Sequence, residues 1–180
     1  MVVKLKNNTI LGIGIIGALV SVVLISGCTS YSTNETKTFS DGDMSFNYPA
    51  DFYNIPYSGN EIDSSTMGLI GMLENKDGFT IYVSKNKTKI SPTEAKDRAV
   101  SNVESSLTGK VVSTATETNP NGVVVEKMSY TKRGILIIKG RYDSMYFQSN
   151  GNVYAITVSG LDLDKKKLSN IDNIIFQSIK

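Results

Sequence analysis

VVSTATETNPNGVVVEKMSYTKRGILIIKGRYDSMYFQSNGNVYAITVSG, residues 111–160, is the stretch that decides the fold. Three turn signals cut it: Asn119-Pro120-Asn121-Gly122, Lys132-Arg133-Gly134 and Ser149-Asn150-Gly151-Asn152. Between and around them lie four β-rich runs, at 111–118, 123–131, 135–147 and 153–159. β-Branched and aromatic residues suit a pleated, half-buried surface, and glycine supplies the positive φ of a tight reversal. Connections this short join antiparallel neighbours, so the stretch predicts an antiparallel meander.

Outward from the meander, both flanks turn helical. Ser91-Pro92-Thr93-Glu94 carries a serine N-cap, a proline at the first helical position and a glutamate completing a capping box. Ala95, Ala99, Val103 and Leu107 then recur at i+4, with Gly109 as the stop, which predicts an amphipathic helix lying on a sheet. Beyond the meander, from Asp164, Leu168, Ile171, Ile175 and Ile179 share one helical face. Its first turn holds Lys165, Lys166 and Lys167, against the helix dipole, a solvated face or a site for a partner or lipid headgroup. Before the first helix, the runs 67–73 and 79–83 flank Asn75-Lys76-Asp77-Gly78 and predict a hairpin. Lys85, Lys87 and Lys89 follow at period two and suggest a protected sheet edge. Earlier still, Met44, Phe46 and Tyr48 alternate with polar residues after a turn at Asp41-Gly42-Asp43, and Pro49 ends that strand. Residues 50–56 place Phe52, Tyr53 and Ile55 in an irregular connection over the core.

The N-terminal segment has a different character. Lys4 and Lys6 precede sixteen uncharged residues, 10–25, the pattern of a signal segment with a basic start and an apolar body. At about 1.5 Å per residue that body spans roughly 24 Å, short of the roughly 30 Å of a bilayer core. Leu24-Ile25-Ser26-Gly27-Cys28 resembles the lipobox of prokaryotic lipoprotein precursors. The resemblance implies cleavage after Gly27 and a diacylglyceryl-type lipid on Cys28, and two chains suffice for stable anchoring. The alternative is an uncleaved anchor over residues 11–28. Either way the remainder is held at the outer face of the cytoplasmic membrane. Gly12, Gly14 and Gly17 spell the dinucleotide fingerprint, but no strand precedes them, and the motif needs its βαβ setting. The expected organisation is a signal peptide over 1–27, a polar tether over 28–37 and one domain over 38–180. Asn34 and Asn86 head N-glycosylation sequons.

Removing residues 1–27 leaves 153 of 180, enough for one core. Lys4 and Lys6 leave with the signal, so 17 basic residues face 17 acidic ones and the mature chain is neutral. Such a chain lacks the basic excess of a nucleic-acid binder, and no nucleic-acid partner is expected. A single cysteine allows no internal disulfide. The absence of histidine removes the commonest general base, the commonest transition-metal ligand and every Ser-His or Cys-His nucleophile.

The remaining chemical candidates are weak. Ser84 with Lys87 and Ser129 with Lys132 match S-x-x-K, but in predicted strands rather than at a helix start. Asp41 with Asp43, and Asp162 with Asp164, are too few carboxylates for a calcium loop and suit turns and N-caps. The aromatics Tyr48, Phe52, Tyr53, Tyr57, Tyr142, Tyr146, Phe147 and Tyr154 either pack as core or line a ligand groove. No catalytic, cofactor or metal residues are assigned.

FSDGDMSFNYPADF at 39–52, the Pro-Thr-Glu-Ala helix start, Tyr154-Ala155-Ile156-Thr157 and the closing IIFQSIK at 174–180 resemble the PsbP/Mog1-like domain. In that family a Tyr-Pro strand end leads into an aromatic, usually tryptophan, and the last helix ends in an aliphatic-x-Ser-aromatic-Lys pattern; here Phe52 and Ile179 stand at the two aromatic positions. The resemblance implies an α+β fold, an antiparallel meander sheet sandwiched by amphipathic helices, with no catalytic residues to carry over. Its members act as accessory or binding proteins, in photosystem assembly and with a small GTPase. The expected function is that of a membrane-anchored, non-catalytic binding or accessory module for a protein or envelope component. The competing readings are an extracytoplasmic hydrolase using carboxylates and tyrosines, and a single-lobe binder of a small ligand.

Overall fold

The computed structural model describes residues 35–57, 67–86, 89–134 and 138–180. Cys28, the signal segment, Asn34 and Lys87 lie outside the described residues. Strands β1 (Thr36–Ser40) and β2 (Ser45–Pro49) form a two-stranded ribbon. β1 thus begins inside the stretch expected as tether, because Thr36 and Lys37 pair with Pro49 and Tyr48. A seven-stranded sheet contains β3 (Tyr53–Asn54), β4 (Met67–Glu74), β5 (Thr80–Asn86), β6 (Gly109–Thr118), β7 (Val124–Arg133), β8 (Lys139–Ser149) and β9 (Asn152–Leu161). Helix α1 (Pro92–Glu104) joins β5 to β6, and α2 (Lys165–Ser178) follows a 3-10 turn at Asp162–Asp164.

The sheet order is β3-β4-β5-β9-β8-β7-β6, with every neighbouring pair antiparallel. The meander is therefore β6 to β9, and its last strand docks on β5. Gly122, Gly151 and Asn150 take positive φ at 81°, 78° and 47°, the conformations their reversals require. The fold is α+β, as expected.

Strand alternation sends two side-chain sets to opposite faces. Ile81, Val83, Met145, Phe147, Tyr154, Ile156 and Val158 join Leu168, Ile171 and Ile175 of α2 and Phe46 and Tyr48 of the ribbon in the main core. Met128, Tyr146, Val153 and Ala155 face α1, meeting Ala95 and Val103. The end of α2 is clasped to the rest. Ser45 and Lys180 exchange backbone hydrogen bonds of 3.3 and 3.0 Å, and the Asn47 N–H donates to Ser178 Oγ at 2.8 Å. Buried Asn119 donates from Nδ2 to the carbonyls of Phe176 (3.1 Å) and Ile179 (2.8 Å).

Local details depart from the sequence reading. Helix α1 stops at Glu104 rather than at Gly109, and Leu107 is fully exposed at 105%. The i+4 spacing outruns the helix because the chain must turn into β6. There Gly109 lies so close to the last helical turn that a Cβ would meet the Val103 carbonyl oxygen at 2.6 Å. At the helix start Ser91 Oγ accepts from the Glu94 N–H at 3.0 Å, but the Glu94 carboxylate turns to Arg98 at 2.7 Å instead of closing the capping box. β5 lies inside the sheet, so Lys85 protects no edge. Asp164 occupies the N-cap of α2 without a side-chain capping bond.

Candidate functional site

Of the several cavities among the described residues, two lie on opposite faces of the sheet, one under each helix. The larger, of about 420 Å³, lies between α1 and the sheet. Its roof is one side of α1, where the small Ala95 and Ala99 leave space and Arg98 and Asn102 stand over it. Its walls are Met67, Met72 and four tyrosines, Tyr82, Tyr130, Tyr142 and Tyr146. Tyr130 and Tyr142 stack 4.8 Å apart with their planes 8° from parallel. The floor is polar at one point, where the Ser144 and Thr157 hydroxyls meet at 2.8 Å.

The roof is held in place by ionic contacts. Lys96 Nζ of α1 donates to Glu126 Oε2 of β7 at 2.6 Å, and Thr116 and Thr93 donate to the same carboxylate at 3.1 and 3.3 Å. The Lys96 hydrogen bond holds Glu126 below the usual carboxylate range, against the upward push of burial. Glu126 in turn raises Lys96, against burial. Burial pushes the Tyr146 phenol up to about 12. It also raises Tyr130 and Tyr142, with neighbouring phenols adding to the effect. At neutral pH these tyrosines therefore present neutral O–H groups, able to donate and accept hydrogen bonds but poorly suited to act as bases.

The smaller cavity, about 220 Å³, lies on the opposite face among β6, β7, β8 and α2. Charged groups converge in it. Lys127 Nζ is 3.2 Å from Asp172 Oδ2, 3.6 Å from Glu117 Oε2 and 4.5 Å from the Phe176 ring centroid. Arg141 Nε is 3.4 Å from Asp143 Oδ1. Burial raises Asp172, which Lys127 partly reverses and the nearby Asp143 reinforces.

The residues singled out in the sequence fall in several places. Tyr48, Phe52, Phe147 and Tyr154 are core, Tyr142 and Tyr146 line the larger cavity, and Tyr53 and Tyr57 are exposed. The expected aromatic groove thus divides between the two faces. Lys85 sits on the Asp41–Asp43 pair, at 3.4 Å from Asp41 and 2.7 Å from Asp43, while the Tyr154 O–H donates to Asp41 at 2.8 Å. Asp162 pairs with Lys139 at 3.1 Å. Each carboxylate pair thus has a lysine on at least one of its members. Ser129 and Lys132, three apart in β7, project to opposite faces, Ser129 into the smaller cavity and Lys132 over the Tyr130 ring. Asn86 Oδ1 accepts from the Val153 N–H at 2.8 Å.

Sequence reasoning missed Tyr82, Tyr130, Lys127, Arg141, Asp143 and Asp172. A usable signal exists for one pair: Arg141 and Asp143 are opposite charges two apart in a strand whose next residues are largely apolar, hence one inward face.

A seven-stranded antiparallel sheet with a helix on each face and an N-terminal ribbon is the PsbP/Mog1-like fold. Solved structures similar to this chain include two with that fold. LpqN of Mycobacterium tuberculosis, described as involved in cell envelope biogenesis, superposes with a TM-score of 0.56 at 15% identity, covering 81% of this chain and 90% of LpqN. Cyanobacterial PsbP (CyanoP) of Synechocystis sp. PCC 6803 gives 0.55 at 12% identity, covering 86% of this chain and 96% of that one. No protein-family model matches the sequence, and a search of curated proteins finds no match. Among the described residues, no helix is long and apolar enough to cross a membrane.

Proposed function

We propose that this chain is an extracytoplasmic binding module, tethered to the membrane through lipidated Cys28, that holds an apolar envelope component in the cavity beneath α1. The observation that carries the reading is the make-up of that cavity. Methionine, alanine and tyrosine dominate its lining, Arg98 is its one fully charged residue, and the nearby phenols stay protonated. Concave, largely apolar surfaces with a few polar groups suit binding and orientation of a ligand. The lipobox supplies the tether, and the envelope role stated for LpqN is compatible with it.

Binding and anchoring are tested separately. Ala99→Trp places an indole in the cavity, so an apolar fluorescent probe that binds the wild type should bind the variant at least about tenfold more weakly at unchanged melting temperature. Equal binding would remove the cavity from the reading. Metabolic lipid labelling that persists in Cys28→Ala, or a wild type that takes up no label, would overturn the anchor.

A second reading, hydrolysis, has one observation in its favour: Asp143 and Asp172 share the smaller cavity, and Asp172 is raised. Perturbed carboxylate pairs are a recognised mark of acid–base sites. Against it, Lys127 and Arg141 each lie within 3.4 Å of one of these carboxylates, so both are engaged by a cation of the fold rather than poised over a substrate. Turnover of chromogenic esters or glycosides that Asp172→Asn abolishes would establish it.

A further inference from the structure

The smaller cavity holds groups whose bonding capacity the fold leaves unused. Asp143 and Asp172 are each 8% exposed, and Oδ1 of both lacks a hydrogen-bond partner. The buried Arg141 Nε lacks one too; its 3.4 Å approach to Asp143 Oδ1 is an ion pair without a hydrogen bond. A buried carboxylate oxygen without a donor costs more than the same oxygen bonded, so such a set marks either a strained structure or a seat for a partner. All three residues line one cavity, with Ser113, Ser129 and Ser169 adding hydroxyls and Ser169 standing at its exposed rim.

Charge narrows what can enter. Glu117, Asp143 and Asp172 are opposed by Lys127 and Arg141, each cation lying within 3.6 Å of its carboxylates. A ligand anion would meet three carboxylates, and an ammonium would meet Lys127 and Arg141. Hydrogen-bond polarity narrows it further. The unused set contains one donor, Arg141 Nε, and two acceptors, the Oδ1 atoms. An ammonium only donates and a phosphate or carboxylate group mainly accepts, whereas a hydroxyl does both. A hydroxyl oxygen bridging Arg141 Nε and Asp143 Oδ1 from the cavity side accepts from Nε and donates to Oδ1, and a neighbouring hydroxyl donates to Asp172. About 220 Å³ corresponds to about seven waters, room for one sugar ring.

We infer that this cavity is a second binding site, on the face opposite α1, for adjacent hydroxyls of a sugar or cyclic polyol. The source is either a free monosaccharide or the terminal residue of a glycan. With no aromatic ring among the lining residues to stack on the sugar, affinity is modest, with a dissociation constant on the order of 1 mM.

The test titrates the full-length chain, in a detergent without sugar headgroups, followed by NMR of its amides. One arm uses methyl glucoside, methyl galactoside, methyl mannoside and myo-inositol; the other uses linear tetrasaccharides of the same hexoses. Saturable shifts at residues around Asp143 and Asp172 are expected in at least one arm, and the arm identifies the source. Asp143→Asn should weaken binding by about tenfold or more, and Ser169→Ala, exposed and harmless to folding, by a few-fold. Ala99→Trp, in the other cavity, should leave it unchanged. The inference is overturned by absence of saturation with every probe, by full binding in both Asp143→Asn and Ser169→Ala, or by methylammonium displacing the sugar.

Discussion

The face under α2 is densely packed except at its polar cavity and the face under α1 is only partly covered, although the same strands build both. On the α2 side, Phe46, Phe52, Phe79, Phe147 and Tyr154 are almost completely buried together with Ile and Leu from α2. On the α1 side the helix contributes only small apolar side chains, alanines and valines, and tyrosines stand around a cavity instead of interdigitating. In the meander, alternating residues therefore serve opposite tasks: Phe147 completes the core and its neighbour Tyr146 borders the cavity. The densely packed aromatic core under α2 lets the α1 face carry the larger of the two voids, because stability comes mainly from large apolar side chains whose removal leaves cavities of their own.

The contrast can be broken by truncation. Phe147→Ala should cost about 4 kcal/mol in urea unfolding, the loss of a buried aromatic plus its cavity. Tyr142→Ala should cost only about 1 kcal/mol, the loss of a half-exposed ring and its stacking on Tyr130. Equal costs would mean that the α1 face is core as well. Next in size, Glu126→Ala should destabilise by about 2 kcal/mol, since it strands Lys96 beneath the sheet-facing side of α1. The same variant should weaken probe binding in the larger cavity, whose roof that pair holds.

Titration separates the faces by sign. Glu126 has a folded pKa below its unfolded value of about 4.3, so its contribution is present above that value and is lost as pH falls through the lower, folded pKa. Asp172 has a folded pKa above its unfolded value of about 3.9, so the folded chain binds that proton more tightly and gains stability as pH falls through the raised pKa. Melting temperatures between neutral and acid pH should show the deficit of Glu126→Gln shrinking toward acid. Over the same range Asp172→Asn should lose ground to the wild type. Parallel trends would contradict the opposite environments assigned to the two carboxylates. The smallest effect is expected for Leu107→Ala, within about 0.5 kcal/mol, because that side chain packs on nothing.

What was readable beforehand follows the range of the forces involved. The meander's first and last turns and the start of α1 rest on local chemistry, glycines at positive φ and a serine bonded three residues ahead, and appear where the pattern places them, whereas β8 begins at Lys139 and residues 135–137 of the run expected over 135–147 lie outside the described residues. The α2 face was readable because Leu168, Ile171 and Ile175 share a helical period. Lys85 was misjudged because its setting comes from β9, which pairs Lys85 with Tyr154. Leu107 was misjudged because periodicity alone says nothing about where a helix must stop. The polar cavity draws Lys127, Arg141, Asp143 and Asp172 from β7, β8 and α2, so their meeting has no local signature.

The clasp between Ser45 and Lys180 has a consequence for motion. Those backbone bonds, with Asn47 on Ser178 and Asn119 on the carbonyls of Phe176 and Ile179, join segments of the chain far apart in sequence. Neither the ribbon nor the end of α2 can open without breaking the other's bonds. In hydrogen exchange, the amides of Asn47, Ile179 and Lys180 should then be released in one cooperative event, as a unit that joins the beginning of the domain to its end.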